Sequence, residues 1–408
     1  MSTTKKIAYL VTAALMVAGF AAWGYQLKEG LVLTHMRNSY SWGLYVSTLA
    51  FFVGNAAGGL VLSSLIYLFG VKKLKPFAKI GALCAFANVT AAMFAILPDI
   101  GKPFRIHNMI LHPQLLSPLV WDVAVLNLYA LISLVYLYLL MLPELTGPFA
   151  RIAIRVKDPE AFSETWARRL APFSLVAAVG IHVVTAWVFS TQGSRDWWFS
   201  PALAPDFVAV ALASGTALVM LAAVLVYGIR DLYRDAYRTL AVFISVAFFI
   251  HLFLMYNDMF IHLWYGAEEA RETLAITLRQ YLPAHLFEVL APLAAVVALL
   301  SARVRESAAA VAASCVLLIS GVLVHRFLIM PAAFDRVPLT IAPLGLQNVT
   351  WSVPIASGRY TETGDTFVTA WHYFPSAIEI TIVLGVVAYM CFLVMVAIDR
   401  LPITERST

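Results

Sequence analysis

Apolar runs close to the ~20 residues that an α-helix needs to cross a bilayer recur along this chain from one end to the other. A backbone in lipid must satisfy its own hydrogen bonds, and only helices and closed barrels do so. Long unbroken apolar runs, rather than short alternating ones, select helices over a barrel. Composition agrees, with 61% of the 408 residues hydrophobic and 12% charged, whereas soluble domains carry about a quarter charged residues. The reading is an all-α, polytopic integral membrane protein with about ten spans. They are expected at roughly 7–25, 42–70, 77–97, 118–141, 171–191, 204–227, 237–263, 283–303, 308–330 and 375–398. The first run, preceded by Lys5 and Lys6 and containing GFAA, has some marks of a signal peptide, but its length favours a retained anchor.

Positive charge sets topology. Most of the 28 Lys and Arg fall on one set of ends and loops, among them Lys5, Lys72, Arg168, Arg230, Arg303 and Arg400. Both termini are therefore expected on the cytoplasmic side, with the partner-docking loops on the outer side. The net charge of +5 is this topogenic excess. It lacks the clustered basic residues and interleaved aromatics of a nucleic-acid surface. The outward loops 99–118 and 190–205 and the long segment 331–374 hold tryptophans, prolines and histidines. A loop as long as the last is the natural docking surface for a partner.

Cysteine usage excludes several chemistries. Cys84, Cys315 and Cys391 lie far apart, each within a span. No C-x-x-C, C-x-x-C-H or ferredoxin spacing occurs, and neither a dinucleotide fingerprint nor a Walker motif is present. The expectation is that this chain ligates no iron–sulfur cluster and attaches no c-type haem through cysteines, and that electrons for any redox chemistry come from another subunit.

An ionisable group inside a span costs several kcal/mol and is a functional candidate by default. In HLFLMYNDMFIHLWYG (251–266), His251, Met255, Asp258 and His262 share one helical face. Asp258 and His262 are one turn apart and within hydrogen-bonding reach. Elsewhere Asp122, Tyr129, Ser133 and Tyr136 share a face, as do Thr48 and Asn55. PAHLFEVLAP places His285 and Glu288 a turn apart, the ninth span ends in His325-Arg326, and Glu379 opens the tenth. On the expected topology these groups gather in the outer third, with His182 and His251 near the midplane. Structural pairs such as Asp258–His262 or Glu288–Arg326 explain part of this equally well.

Three chemistries compete. A haem b site needs facing histidines at one depth, which His182 and His251 supply only if they pair. A transporter needs broken helices and a polar midplane site, and GNAAGG (54–59) permits close helix contact. A quinone site needs hydrogen-bond donors, proton-transfer groups and access from lipid, and His, Asp, Tyr and Asn near one face supply these.

WGLYVSTLAFFVGNAAGGLVLSS (42–64), DIGKPFRIHNMILHPQLLSPLVWDV (99–123) and GSRDWWFSPALAPDFVAVALASGTAL (193–218) resemble the NrfD/PsrC family, the membrane subunits of polysulfide-reductase-type complexes. The resemblance covers most of the chain. Its length is similar to the larger members, in the quinone reductase complex of sulfate reducers and in alternative complex III. The resemblance implies two four-helix bundles plus flanking helices. An N-terminal helix and loop (1–41) would precede a quinone-binding bundle (42–191). A second bundle with a possible proton pathway (192–330) would follow, then a periplasmic loop and last helix (331–408). A weak internal echo, SPLVWDVAVLNL against SPALAPDFVAVAL, fits such a duplication.

The resemblance also implies a bacterial inner membrane, a chain with no haem, iron–sulfur cluster or metal of its own, and menaquinone bound near the periplasmic face, with an iron–sulfur subunit delivering electrons from a molybdopterin-type or multihaem partner. The asparagine and histidine that short members carry early in the first bundle helix match Ser47 and Ala50 here, so those contacts do not transfer. In their place Asp122, His107 and Asp99 are the expected catalytic groups. Arg105, Trp121, Tyr129, Thr48 and Asn55 are the expected quinone contacts. His182, His251, Asp258, His262 and Glu288 are the expected proton pathway.

Overall fold

In a computed structural model of the chain, residues 3–37, 40–193, 195, 197–266, 271, 274–275, 278–334 and 373–403 are described. Among them, ten helices are long and apolar enough to cross a membrane. In chain order they are α1 (Thr3–Glu29), α2 (Leu44–Tyr67), α3 (Ala78–Ile96), α4 (Pro118–Met141), α5 (Pro159–Ser190), α6 (Leu203–Tyr227), α7 (Arg234–Tyr265), α8 (Leu282–Leu300), α9 (Ala308–Phe334) and α10 (Ala377–Arg400). Each corresponds to one expected span. The expected docking segment 331–374 lies mostly outside the described residues.

Apolarity locates the spans well but not their ends. The fifth apolar run begins near 171, yet α5 begins at Pro159, because a proline at the first helical position and the Asp158 side chain, which accepts from the Ala161 N–H, start it earlier. A Ser376–Glu379 capping box likewise starts α10.

The helices form two four-membered rings. In the first, α2 packs on α3, α3 on α4, α4 on α5 and α5 back on α2; in the second, α6, α7, α8 and α9 close in the same way. The α1–α10 pair flanks the first ring along α3. Lys5 and Tyr9 of α1 both bond Asp399 of α10, so both termini sit at one end, here called the terminal end.

The rings are joined chiefly by α2 against α6. A side chain at Gly58 would begin 2.1 Å from the Gly215 carbonyl carbon, so the two backbones touch there. Without a hydrophobic effect to press helices together in lipid, small residues supply the close packing instead. α2 is accordingly buried along almost its whole length. Ten crossings bring the beginnings of α4, α6 and α8 and the ends of α5, α7 and α9 to the end opposite the termini.

Candidate functional site: a carboxylate–histidine cluster beneath a cleft

At that opposite end the second ring holds a half-open cleft. Its walls are apolar, from Leu254, Met255 and Met259 of α7, Leu328 and Ile329 of α9, and Trp197 before α6. Its polar lining is Asp206, Asp258, His285, Glu288 and His325. A concave apolar pocket with a few convergent polar groups is the usual form of a small-molecule site.

Each helix of the ring contributes to the cleft floor. Glu288 of α8 accepts from His285 Nδ1 at 2.5 Å through one oxygen and from His325 Nδ1 of α9 at 3.0 Å through the other. These bonds fix both imidazoles with the proton on Nδ1 and turn the other nitrogen elsewhere. His325 Nε2 stands 3.7 Å from Asp206 of α6. Asp206 in turn accepts from His251 Nδ1 of α7 at 2.6 Å. The His251 and His325 rings meet edge to face, with centroids 4.8 Å apart.

The cluster thus alternates imidazole and carboxylate, and His325 lies between two carboxylates. An added proton on His325 would be stabilised from both sides, which suits the cluster to hold and pass protons. The ligand atoms of Asp206, His251 and His325 also lie within 4.8 Å of one another. The Asp206–His251 hydrogen bond and the neighbouring Arg326 guanidinium favour a proton over a dication there.

At the rim, Asp258 accepts from the Ser200 hydroxyl. The expected Asp258–His262 contact is loose, 3.7 Å between side chains, because His262 Nδ1 bonds the Asp258 backbone carbonyl at 2.9 Å instead. Glu288 does not pair with Arg326, since both its oxygens are taken by histidines.

The first-ring candidates are dispersed. Asp122 is buried and accepts from Thr185 Oγ1 of α5 at 2.6 Å. Trp121 is half-exposed, donates to the Leu115 carbonyl and meets Trp187 edge to face. The Tyr129 hydroxyl donates to the Ala56 carbonyl, a helix-to-helix tie. Arg105 and His107 stand exposed in the loop before α4, where His107 bonds the Phe104 carbonyl. Asp99 faces the α1–α10 side, where burial and the Glu379 carboxylate push its carboxyl up to about 7. Thr48, Asn55 and His182 are buried between the rings. The structure therefore gathers Glu288 and Asp258 around one cavity, with His251 behind it on Asp206, but not Asp99, Arg105, His107 and Asp122.

Asp206 and His325 were not among the expected site residues. Asp206 is legible in the internal echo, because SPLVWDVAV and SPALAPDFVAV each place an aspartate just after their Ser-Pro. His325 is a histidine inside a span, the default mark of function.

A family profile described as "Polysulphide reductase, NrfD" matches residues 32–338. The chain belongs to this NrfD family. Among curated proteins, it is 32% identical to a putative dimethyl sulfoxide reductase membrane subunit of Halobacterium salinarum, covering 97% of this chain and 91% of that protein. It is 25% identical to a selenate reductase subunit of Mesobacillus selenatarsenatis over 66% of this chain and 68% of that one. An Hdr-like menaquinol oxidoreductase integral membrane subunit of Archaeoglobus fulgidus matches at 28% over 52% of this chain and 48% of its own length. The names differ in the compound acted on but agree on a subunit of a reductase or oxidoreductase. Membership of the NrfD family bears out the resemblance read from residues 42–64, 99–123 and 193–218.

Proposed function

We propose that this NrfD-family chain is the quinone-reactive membrane subunit of a respiratory oxidoreductase complex. The observation that carries the reading is the five-membered cluster of carboxylates and histidines beneath a half-open apolar cleft. Quinol oxidation releases two electrons and two protons, and the cluster is a proton acceptor of the right kind. His285, with Nδ1 bonded to Glu288, offers its other nitrogen to a quinol hydroxyl, and Asp258 at the rim offers a second acceptor. Glu288 and His325 take the proton inward. The menaquinol oxidoreductase relative favours menaquinone as the substrate.

An apolar groove along α5, α6 and α7, lined by Val208, Leu212, Phe243 and Val246, suits the isoprenoid tail. Leu254 lines both groove and cleft. The electrons pass to an iron–sulfur partner, since three scattered cysteines cannot supply a cluster's four thiolates. The loop before α4 suits such a partner, with Phe104 and Leu116 each 84% exposed. On the positive-charge rule the cleft opens to the periplasm and the termini to the cytoplasm.

The test is quinol affinity in the purified complex. Glu288→Gln and Asp258→Asn should each weaken binding of a short-chain menaquinol about tenfold, as for a lost charged hydrogen bond. Unchanged binding in both, with loss in Asp122→Asn, would move the site to the first ring.

A further inference from the structure

Among the described residues, five buried side chains between the two rings have polar atoms without a protein partner at hydrogen-bond distance. They are Thr48 Oγ1 and Asn55 Oδ1 of α2, His182 Nε2 of α5, Ser214 Oγ of α6, and Arg326 Nε and Nη1 of α9. None is more than 3% exposed. A buried polar atom left unpaired costs about 1–3 kcal/mol, so native interiors pair such atoms with ordered water. Six such atoms on four neighbouring helices describe a hydrated seam.

Arg326 stands at its centre. Its guanidinium lies 3.8 Å from the centre of the Phe207 ring, and Nη2 donates to the Phe207 carbonyl. The same Nη2 is 3.8 Å from where a side chain on Gly54 would begin, so the guanidinium reaches the α2 backbone at van der Waals distance. Arg326 is within electrostatic reach of Asp206 on one side and of His182 on the other. One turn beyond His182, Thr185 donates to Asp122. Toward the terminal end the seam is closed by the Gly58–Gly215 backbone contact, just past Asn55 and Ser214. The polar line therefore runs sideways from the cleft cluster to the first ring, not along either bundle.

We propose that this seam is a lateral proton path between Asp206 at the cleft floor and Asp122 in the first ring, with Arg326 as its charge-balancing post. The inference rests on quinol oxidation by the complex. Each quinol gives two electrons to the iron–sulfur partner and two protons to the cleft. A proton held on His325 places extra positive charge beside Arg326, which drives it along the seam waters toward the Asp122 carboxylate. The guanidinium keeps its own proton throughout. Asp122 and Asp206, at matching places in the internal echo, are the two ends of one route.

A double-mutant cycle on the reconstituted complex tests this. His182→Gln and Asp122→Asn should each slow quinol turnover about tenfold, the lower end of a proton-transfer contribution. Each should raise the solvent deuterium isotope effect and hold quinol affinity within about twofold. For two groups in series, the double variant is as slow as the slower single variant, rather than about a hundredfold slower. Thr185→Ser should keep turnover and Thr185→Val should lose it, which separates the hydroxyl's role from folding. Single variants within twofold of wild type, multiplicative loss in the double, or loss of quinol affinity on His182→Gln would each overturn the path. Failure of the cleft reading is distinct, because it registers as indifference of affinity to Glu288→Gln.

Discussion

The two rings carry the same carboxylate in different settings. Asp122 opens α4 and Asp206 opens α6, each shortly after a Ser-Pro. Asp122 has one side-chain partner among the described residues, the Thr185 hydroxyl. Asp206 bonds His251, faces His325, and lies against a cleft. A hydroxyl partner satisfies a buried acid without offering a second proton-holding site, whereas imidazole can hold or release the proton itself. Each ring thus supplies one carboxylate, and the neighbours on the fourth helix of each ring, Thr185 and His325, set Asp206 beside a second proton-holding group and leave Asp122 without one.

The largest break in this comparison should come from Asp206→Asn. It keeps shape but removes the charge opposite two histidines, and turnover should fall about a hundredfold or more, read as quinol-dependent reduction by the complex. A fall no greater than that of Asp122→Asn would erase the distinction between the rings.

Gly58→Ala should come next, because its new methyl would sit 2.1 Å from Gly215 and force the rings apart. Overpacking of this kind costs about 1–3 kcal/mol. Thermal unfolding in detergent should register it, while Gly180→Ala, with nothing within 4 Å, should be neutral. Equal effects from the two would mean that the rings are not held by this contact.

The smallest expected effect on turnover belongs to Asp99, beside the flanking pair, where the readout is stability against pH. The folded state keeps a proton up to about pH 7 that the unfolded chain releases near its ordinary value of about 4. Folding therefore binds a proton in that window, and stability falls as pH rises through it. Asp99→Asn should raise the melting temperature at pH 8 and leave it unchanged at pH 4. A destabilising effect at pH 8 would show that the ionised carboxylate is needed there.

Much of the fold was legible because lipid leaves few choices. Run length located every span, and GNAAGG anticipated the joint at Gly58. Helix starts were less legible, since Asp158 and Pro159 begin α5 within polar sequence. The candidate site was half legible. Helical spacing put His251 and Asp258 on one face and His285 beside Glu288, because those relations are local. The partners of His251 and Glu288 come from other helices, and no spacing rule reports that Asp206 and His325 close the cluster. In the first ring the same limit applied in reverse. Asp99, Arg105, His107 and Asp122 are neighbours in sequence but turn toward different surroundings.

The proposed site puts the quinone head group in the second ring. A photoreactive menaquinone analogue, cross-linked in the intact complex and mapped by peptide mass spectrometry, tests it most directly. Labelling of α7 around Met255 and Met259 is expected, lost when excess menaquinol competes. Competed labelling confined to residues 99–123 or to α4 would contradict it.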